Sequence, residues 1–200
     1  MPEHQACTAG TEPLLGTAKL VRNVCRMLMA SLLLAAATLQ QPLPPATPRI
    51  VQHLDLPYAE GFARNPRRND LDLYLPAKPS APPPIVLFVH GGTWTGGAKE
   101  HFGFVGAALA ARGIACAVTN MQLFPFVRPD VMVRDCARAL AFLHARAADF
   151  GCDGERLFVM GHSSGAHLAA WLCLDQRQLE AVSVPTEALR GALLLSGVYD

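Results

Sequence analysis

Residues 157–170, Leu-Phe-Val-Met-Gly-His-Ser-Ser-Gly-Ala-His-Leu-Ala-Ala, decide how this chain folds. The segment begins with a short apolar run, typical of a strand buried on both faces, and ends in an alanine- and leucine-rich stretch that favours a helix. Between them, residues 161–165 read Gly-His-Ser-Ser-Gly, a G-x-S-x-G pattern at the strand-to-helix junction. The order of strand, turn and helix is that of a nucleophile elbow, in which a sharp turn lifts the central serine above the sheet. We therefore predict that Ser163 is a catalytic nucleophile; an ordinary strand-to-helix turn is the alternative.

The chemistry of such an elbow requires hydrogen-bond donors beside the serine. Attack of a serine on a carbonyl carbon creates a tetrahedral oxyanion, which backbone N–H groups stabilise. The N–H of Ser164 lies at the start of the predicted helix, where amide hydrogens lack intrahelical acceptors and the helix dipole favours negative charge. Ser164 is accordingly predicted to provide one donor of an oxyanion hole.

A second motif, His90-Gly91-Gly92-Thr93-Trp94, directly follows the apolar run at residues 85–89. In folds that contain a nucleophile elbow, the second oxyanion donor comes from the loop after an earlier strand. Gly91 and Gly92 allow the backbone to pass close to a substrate carbonyl oxygen, so we predict that they complete the oxyanion hole. Trp94 is predicted to wall an acyl or aryl pocket; a tryptophan that merely packs in the turn is the alternative.

Hydrophobic patterning outside the two motifs predicts an α/β fold. Residues 50–56 and 70–75 alternate apolar and polar side chains, as half-exposed strands do, and predict an antiparallel opening pair. Thereafter buried strands at residues 85–89, 114–119, 157–160 and 192–195 alternate with helices at about residues 102–112, 129–148 and 164–174. This alternation predicts a mostly parallel sheet with right-handed crossovers and helices on both faces.

Taken together, these motifs resemble those of the α/β-hydrolase superfamily, in particular the carboxylesterases, the hormone-sensitive-lipase-like enzymes and the kynurenine formamidases. The resemblance covers about residues 50–200 and rests on residues 71–76, 90–94, 151–153, 161–167 and 196–200. It implies a three-layer α/β-hydrolase fold, a small-molecule ester or amide substrate, and an acyl-enzyme intermediate on Ser163. It also implies that His90 orients the backbone of the oxyanion loop. Thr93 departs from both the H-G-G-Y-W of formamidases and the H-G-G-G of lipases, whereas Trp94 and the Ser-Gly-Val-Tyr-Asp ending favour the formamidase and small-esterase side.

The remaining partners of a catalytic triad are missing from the sequence. The resemblance implies that an acid and then a histidine follow the serine, yet no histidine occurs after His167. We therefore expect both partners, and two further strands, beyond residue 200, which makes the chain a C-terminally truncated hydrolase with an apolar last strand at the sheet edge. His162 is expected to serve a surface or packing role and His167 to face the core; Asp200 as a variant acid is the remaining alternative.

Composition excludes several other classes of function. The 200 residues have a formal net charge of +1 and only 16% charged residues, which gives no electrostatic reason to expect a nucleic acid as partner. The chain contains neither H-E-x-x-H nor a phosphate-binding G-x-x-x-x-G-K-[ST] loop, so no metal or other cofactor is predicted. None of the six cysteines belongs to a C-x-x-C pair, and the four that would survive cleavage are better explained as buried hydrophobic residues than as disulfides or metal ligands.

The first 37 residues are predicted to form a signal peptide. An apolar run at residues 27–37 follows Lys19, Arg22 and Arg26 and ends with Ala35 and Ala37, which fit an A-x-A cleavage site. The run is shorter than the roughly 20 apolar residues that cross a bilayer, so no stable membrane span is expected. Export is the prediction; an uncleaved N-terminal helix or a misplaced start codon, in a cytoplasmic protein, is the alternative.

Residues 38–49 form a proline-rich linker in this scheme, and residues 50–200 form the α/β-hydrolase domain. Two hypotheses on function follow. The first is a serine hydrolase of esters or small amides. The second is a catalytically incompetent fragment or a binding module that retains the hydrolase fold without the triad.

Overall fold

The computed structural model describes residues 49–59 and 68–199, all of which belong to one compact unit that begins at Thr47. The predicted signal peptide, nearly all of the predicted linker, and Asp200 lie outside the described residues. The predictions made for those segments therefore stay predictions. Of the cysteines, Cys116, Cys136 and Cys152 are free and buried, Cys173 is free and half-buried, and Cys7 and Cys25 are outside the described residues.

A six-stranded sheet forms the centre of the fold, with the strand order β1-β2-β4-β3-β5-β6. β1 pairs antiparallel with β2, and β2 antiparallel with β4, whereas β3, β4, β5 and β6 run parallel to one another. The predicted antiparallel opening pair and the mostly parallel sheet are thus confirmed. The strands span Ile50–Pro57 (β1), Asp70–Pro76 (β2), Pro84–Val89 (β3), Ala115–Thr119 (β4), Asp153–His162 (β5) and Leu189–Leu195 (β6).

Helices cover both faces of the sheet and complete three layers. On one face, α1 packs against a small cluster that includes Tyr74, Phe88 and Val118; on the other, α2 and α3 bury the larger part of the core. The helices span Gly103–Ala110 (α1), Pro129–Arg146 (α2), Ser164–Leu174 (α3) and Arg177–Glu180 (α4), and 3₁₀ turns span Lys99–His101, Ala147–Phe150 and Thr186–Ala188. Within the described part of the chain, no helix is both long and apolar enough to cross a bilayer.

The longest helix, α2, begins as its sequence requires. Arg128 is extended, Pro129 occupies the first turn, where its missing N–H costs nothing, and Asp130 complements the helix dipole. Val133, Ala137 and Leu140 form its buried stripe, at the spacing that places side chains on one helix face. The α-helix ends at Arg146 rather than at residue 148, because the last residues tighten into a 3₁₀ turn that Gly151 closes in the left-handed conformation.

The prediction that β2 is half-exposed is wrong. Leu71 to Leu75 are all buried, since β2 lies between β1 and β4 and both of its faces are covered. The ring of Tyr74 packs closely under α1, where a Cβ on Gly106 would lie 2.2 Å from it. The alternating polar positions are therefore not solvent-facing, and Asp72 instead contacts a buried lysine.

The last described strand, β6, lies at the edge of the sheet beside β5, as expected. Leu193, Leu194 and Leu195 are all exposed on it. Among the described strands, the sheet thus ends in an apolar strand immediately next to the one that carries the G-x-S-x-G turn.

Candidate active site

Ser163 lies between β5 and α3 in a strained backbone conformation. Its φ of 54° and ψ of −122° belong to neither a strand nor a right-handed helix, and a side chain in this region costs about 1–3 kcal/mol. Its N–H donates to the carbonyl of Leu195 at 2.8 Å, and its own carbonyl accepts from the N–H of Ala166 at 2.9 Å. These bonds hold the turn, and the serine is half-buried at the carboxyl edge of the sheet.

The turn depends on a very close approach between α3 and β3. A Cβ on Gly165 would lie 2.2 Å from the carbonyl oxygen of Val89, a distance that side chains do not adopt. Ser164, in the first turn of α3, is buried. The N–H groups of Ser164 and Gly165 precede that of Ala166, which donates to the Ser163 carbonyl. Amide hydrogens at the very start of a helix have no acceptor within it, which is the arrangement that binds developing negative charge.

The loop after β3, residues 90–98, meets this turn; we call it the diglycine loop. A Cβ on Gly91 would lie 2.8 Å from the carbonyl oxygen of His162 and 3.0 Å from the Cβ of Ser163. The contact arises because β3 and β5 are parallel neighbours, paired at Val89 and Gly161, so their following loops share one sheet edge. The structure thus brings Gly91 and Ser163 together, as the two motifs suggested.

Beyond Gly91, the diglycine loop follows a left-handed path. The φ angles are 137° at Gly92, 52° at Thr93 and 62° at Trp94. The Gly92 carbonyl accepts from the N–H of Gly96 at 2.9 Å and from the Thr93 hydroxyl at 2.8 Å. This carbonyl oxygen therefore points into the turn, and its negative partial charge does not repel a substrate oxyanion.

His90 is fully buried and acts on the backbone of the same loop. Its Nδ1 lies 2.9 Å from the carbonyl oxygen of Gly91, and its ring stacks on Phe102 at 6.0 Å between centroids. Burial lowers the pKa of the His90 imidazole below its ordinary value, so the ring is neutral and Nδ1–H donates to Gly91. This geometry suits a histidine that orients backbone rather than one that accepts a proton.

Trp94 stands half-buried beside the first turn of α3. Its ring meets that of His167 edge-on, with centroids 5.6 Å apart, and His167 in turn contacts Trp171 at 6.1 Å. His167 is therefore half-buried in an aromatic cluster, whereas His162 is exposed. The two interpretations of Trp94, as pocket wall and as packed turn residue, are both compatible with this position.

Phe124 and Phe126, in the loop that also contacts Trp94, were not predicted from the sequence as site residues. The N–H of Phe124 donates to the Trp94 carbonyl at 2.9 Å, and the side chains of Phe124 and Phe126 are 52% and 68% exposed. Both belong to the loop that follows β4, at the sheet edge where open α/β sheets bind ligands. A Phe-Pro-Phe sequence five residues after the end of a buried strand was the available signal.

Lys99 is a further residue of the site that was not predicted from the sequence. It follows the diglycine loop directly, its side chain is 2% exposed, and its Nζ lies 2.6 Å from Asp55 and 2.7 Å from Asp72. Burial alone would lower the pKa of the Lys99 ammonium, but hydrogen bonds to Asp55 and Asp72 outweigh it and hold the pKa above its ordinary value. Lys99 is therefore a buried cation.

Comparison with known proteins places this geometry among esterases and formamidases. The BD-FAE family model matches residues 71–188. An isoprenylcysteine alpha-carbonyl methylesterase of Arabidopsis thaliana is 36% identical over 137 residues, which are 66% of this chain and 32% of that protein. A kynurenine formamidase of Salmo salar is 32% identical over 147 residues, or 74% of this chain and 46% of that protein. The chain thus spans less than half the length of these relatives.

Solved esterase structures share the fold. Esterase B of Lactobacillus rhamnosis superposes with a TM-score of 0.60 at 22% identity, over 90% of this chain and 55% of that one. A thermostable esterase from Pseudomonas putida ECU1011 gives 0.61 at 23% identity, over 84% of this chain and 49% of that one. The six strands and their helices are thus the α/β-hydrolase arrangement that the sequence motifs implied.

Proposed function

Because the chain belongs to the BD-FAE family, within the carboxylesterase and formamidase-like α/β-hydrolases, we propose that it is a serine hydrolase that cleaves carboxylic esters or small amides. The observation that carries the proposal is the contact between Gly91 and Ser163, where a Cβ on the glycine would lie 3.0 Å from the Cβ of the serine. A turn that presents a serine hydroxyl and a glycine loop that passes beside it are the two halves of an acyl-transfer site.

In the proposed mechanism, the Ser163 hydroxyl attacks the substrate carbonyl carbon and its proton passes to a base. The N–H groups of Ser164 and of the diglycine loop at Gly91 and Gly92 stabilise the tetrahedral oxyanion. The carbon–oxygen or carbon–nitrogen bond then breaks, the leaving alcohol or amine takes up the proton, and an acyl-enzyme remains on Ser163. Water attacks this acyl-enzyme in the same way and releases the acid.

The base in this mechanism is a histidine outside the described residues. His90 already bonds to the carbonyl oxygen of Gly91, and Nδ1 of His167 is buried without a hydrogen-bond partner in the described part of the chain. Neither atom is engaged with Ser163. We therefore propose that a histidine and an acid that follow the serine along the complete protein activate it, in the order usual for this fold.

We propose an apolar acyl or aryl group as the part of the substrate that the site recognises. Trp94 is half-buried beside α3, the N–H of Phe124 donates to the Trp94 carbonyl, and Phe124 and Phe126 expose aromatic surface in the loop after β4. Aromatic rings provide large contact area at low entropic cost. Neutral esters of this kind, and the formyl amides of aromatic amines, are the two substrate classes to compare.

A fluorophosphonate probe tests the reactive serine directly. Labelling of the complete protein, with the histidine and acid that follow the serine, is expected in the wild type and absent in Ser163→Ala, with Ser196→Ala as a matched serine control that keeps labelling. Turnover of aryl acetates and of N-formyl aromatic amines by the same preparations then separates an esterase from a formamidase. Absence of both labelling and turnover would favour a non-catalytic binding module on the hydrolase fold.

Export by residues 1–37 is also proposed, on the basis of the basic segment, the apolar run and the small residues at its end. Mass spectrometry of the mature N-terminus tests it. A new N-terminus shortly after Ala37 is expected, and an intact N-terminal segment would contradict export.

A further inference from the structure

The diglycine loop is held in an unfavourable backbone conformation. Four of its residues, Gly92, Thr93, Trp94 and Gly97, have positive φ angles. Two of these carry side chains, for which the left-handed region costs free energy and persists only where the surroundings fix it. An oxyanion hole also requires its donors to be fixed before the reaction begins. Some contact outside the loop must therefore hold it in place.

The strongest contacts of this kind converge on Lys99, the residue that follows the loop. Its ammonium lies 2.6 Å from Asp55 Oδ1 and 2.7 Å from Asp72 Oδ1, and Glu100 and Asp70 lie 3.4 Å and 3.7 Å away. A buried ammonium that meets two carboxylates at hydrogen-bond distance is fixed in position. The loop end is thereby tied to β1 and β2.

The backbone of Lys99 is fixed as well as its side chain. Its N–H donates to Asn120 Oδ1 at 2.9 Å, and the Asn120 amide donates to Asp70 Oδ1 at 2.9 Å. Asn120 follows β4 directly, so the loop end is also joined to the strand next to β3. Through Asp55, Asp72 and Asn120, Lys99 thus connects the end of the diglycine loop to β1, β2 and the end of β4.

Local features of β1 and of the segment just before β2 support the same anchor. A bulge between His53 and Leu56 places Asp55 in a left-handed conformation, from which its carboxylate reaches Lys99 and its N–H donates to Asp72. Arg68 adds a second contact, since its guanidinium donates to the Gly97 carbonyl at 2.7 Å. The strain in β1 is explained by the contact with Lys99.

We propose that Lys99 is a positioning residue that fixes the diglycine loop for oxyanion binding, through its ion pairs with Asp55 and Asp72. This inference rests on the proposed hydrolase function. Lys99 touches neither substrate nor Ser163 in this scheme; it acts through the backbone of residues 91–97. Of the two pairs, the one with Asp72 is buried, whereas the Asp55 side chain is largely exposed. A buried ion pair contributes little net stability compared with well-packed apolar residues, so its role is to specify geometry.

The test compares the double variant Lys99→Met/Asp72→Asn with the wild type, both made as the complete protein. The double change avoids leaving the Asp72 carboxylate buried without its cation, and Lys99→Arg, which keeps the charge, is the rescue variant. Arg146→Met, which breaks the exposed ion pair with Asp149 far from the loop, is the matched control. Thermal unfolding of each variant establishes that it is folded.

Two measurements decide the outcome. Hydrogen exchange of peptides covering residues 90–98 is expected to become at least about tenfold faster in the double variant, with little change in peptides from β3 and β5. The rate constant for fluorophosphonate labelling of Ser163, and kcat on an aryl ester, are expected to fall by at least about tenfold with little change in KM. Lys99→Arg is expected to show slower exchange of residues 90–98, and faster labelling and turnover, than the double variant.

Unchanged exchange of residues 90–98 in a folded double variant would overturn the role of Lys99. A change in exchange with unaltered kcat and labelling would overturn it too, because the loop would then not be positioned for catalysis. If the wild-type protein neither labels nor turns over substrate, the hydrolase proposal fails instead, and the exchange measurement still reports whether Lys99 holds the loop.

Discussion

Gly91 and Ser163 approach each other so closely that a Cβ on the glycine would lie 3.0 Å from the Cβ of the serine and 2.8 Å from the carbonyl oxygen of His162. The two residues are 72 positions apart in the sequence and meet because β3 and β5 are adjacent parallel strands. Since the second contact is with backbone, the collision of an added methyl group could be relieved only by a shift of the diglycine loop or of the turn.

Replacement of Gly91 by alanine is therefore expected to lower kcat by about 10²–10³, the loss seen when one oxyanion donor is removed. Gly96→Ala is the matched control, because a Cβ there would meet only the Gly92 carbonyl oxygen at 3.7 Å, an ordinary contact. Steady-state kinetics of both variants on one aryl ester measures the difference. Equal activity of the two variants would show that the Gly91 backbone is not part of the oxyanion hole.

Ser163→Gly is expected to stabilise the protein while it abolishes activity. The backbone angles at Ser163 are costly for a residue with a Cβ and accessible to glycine, and relief of this strain exceeds the added entropy of the unfolded chain. We expect a gain of about 1 kcal/mol over Ser163→Ala, which removes the hydroxyl but keeps the strain. Chemical denaturation of the two inactive variants measures it, and equal midpoints would mean that the turn is unstrained.

Phe126→Ala is expected to weaken the preference for large acyl or aryl groups. Loss of one aromatic contact corresponds to about 1–2 kcal/mol, or roughly tenfold in kcat/KM for a butyryl or benzoyl ester relative to the acetyl ester. Phe104→Ala provides the control, because Phe104 is 69% exposed, much like Phe126, but lies on α1. If both variants keep the wild-type ratio of kcat/KM between the larger ester and the acetyl ester, Phe126 does not contact the substrate.

The ion pairs of Lys99 are expected to make stability depend on alkaline pH. The folded-state pKa of Lys99 is raised above its ordinary value of 10.5, because hydrogen bonds to Asp55 and Asp72 and the charge of Asp70 outweigh burial. A raised lysine pKa contributes stability that is complete below about pH 10.5 and is lost as the pH rises through the folded pKa. The melting temperature of the wild type relative to that of Lys99→Met/Asp72→Asn should therefore fall above pH 10.5. A constant difference from pH 8 to pH 12 would contradict this.

The parts of the site that the sequence predicted are those encoded locally. A buried strand, a G-x-S-x-G turn and a helix are consecutive in the chain, so the turn at Ser163 follows from about 14 residues, and the same holds for the strand and glycines that precede Trp94. The position of both loops at one edge follows from the parallel sheet. These features required no knowledge of distant contacts.

The missed features depend on contacts between residues far apart in the sequence. Lys99 meets Asp72 at a separation of 27 residues and Asp55 at 44, and no local pattern distinguishes a lysine in a loop that will be buried. The error on β2 has the same origin. Its alternating polar residues resemble a half-exposed strand, and only the strand order shows that Asp72 faces the interior.

The hydrogen bond from the Ser163 amide to the Leu195 carbonyl links the reactive turn to β6, the strand beside β5. The acceptor lies on a different strand from the one that carries the serine, so a tertiary contact helps to sustain the distorted backbone. Local opening of part of a fold costs less free energy than global unfolding. Local separation of β6 from β5 would remove this bond and let the turn relax, so that inactivation by heat or denaturant would precede loss of the remaining secondary structure.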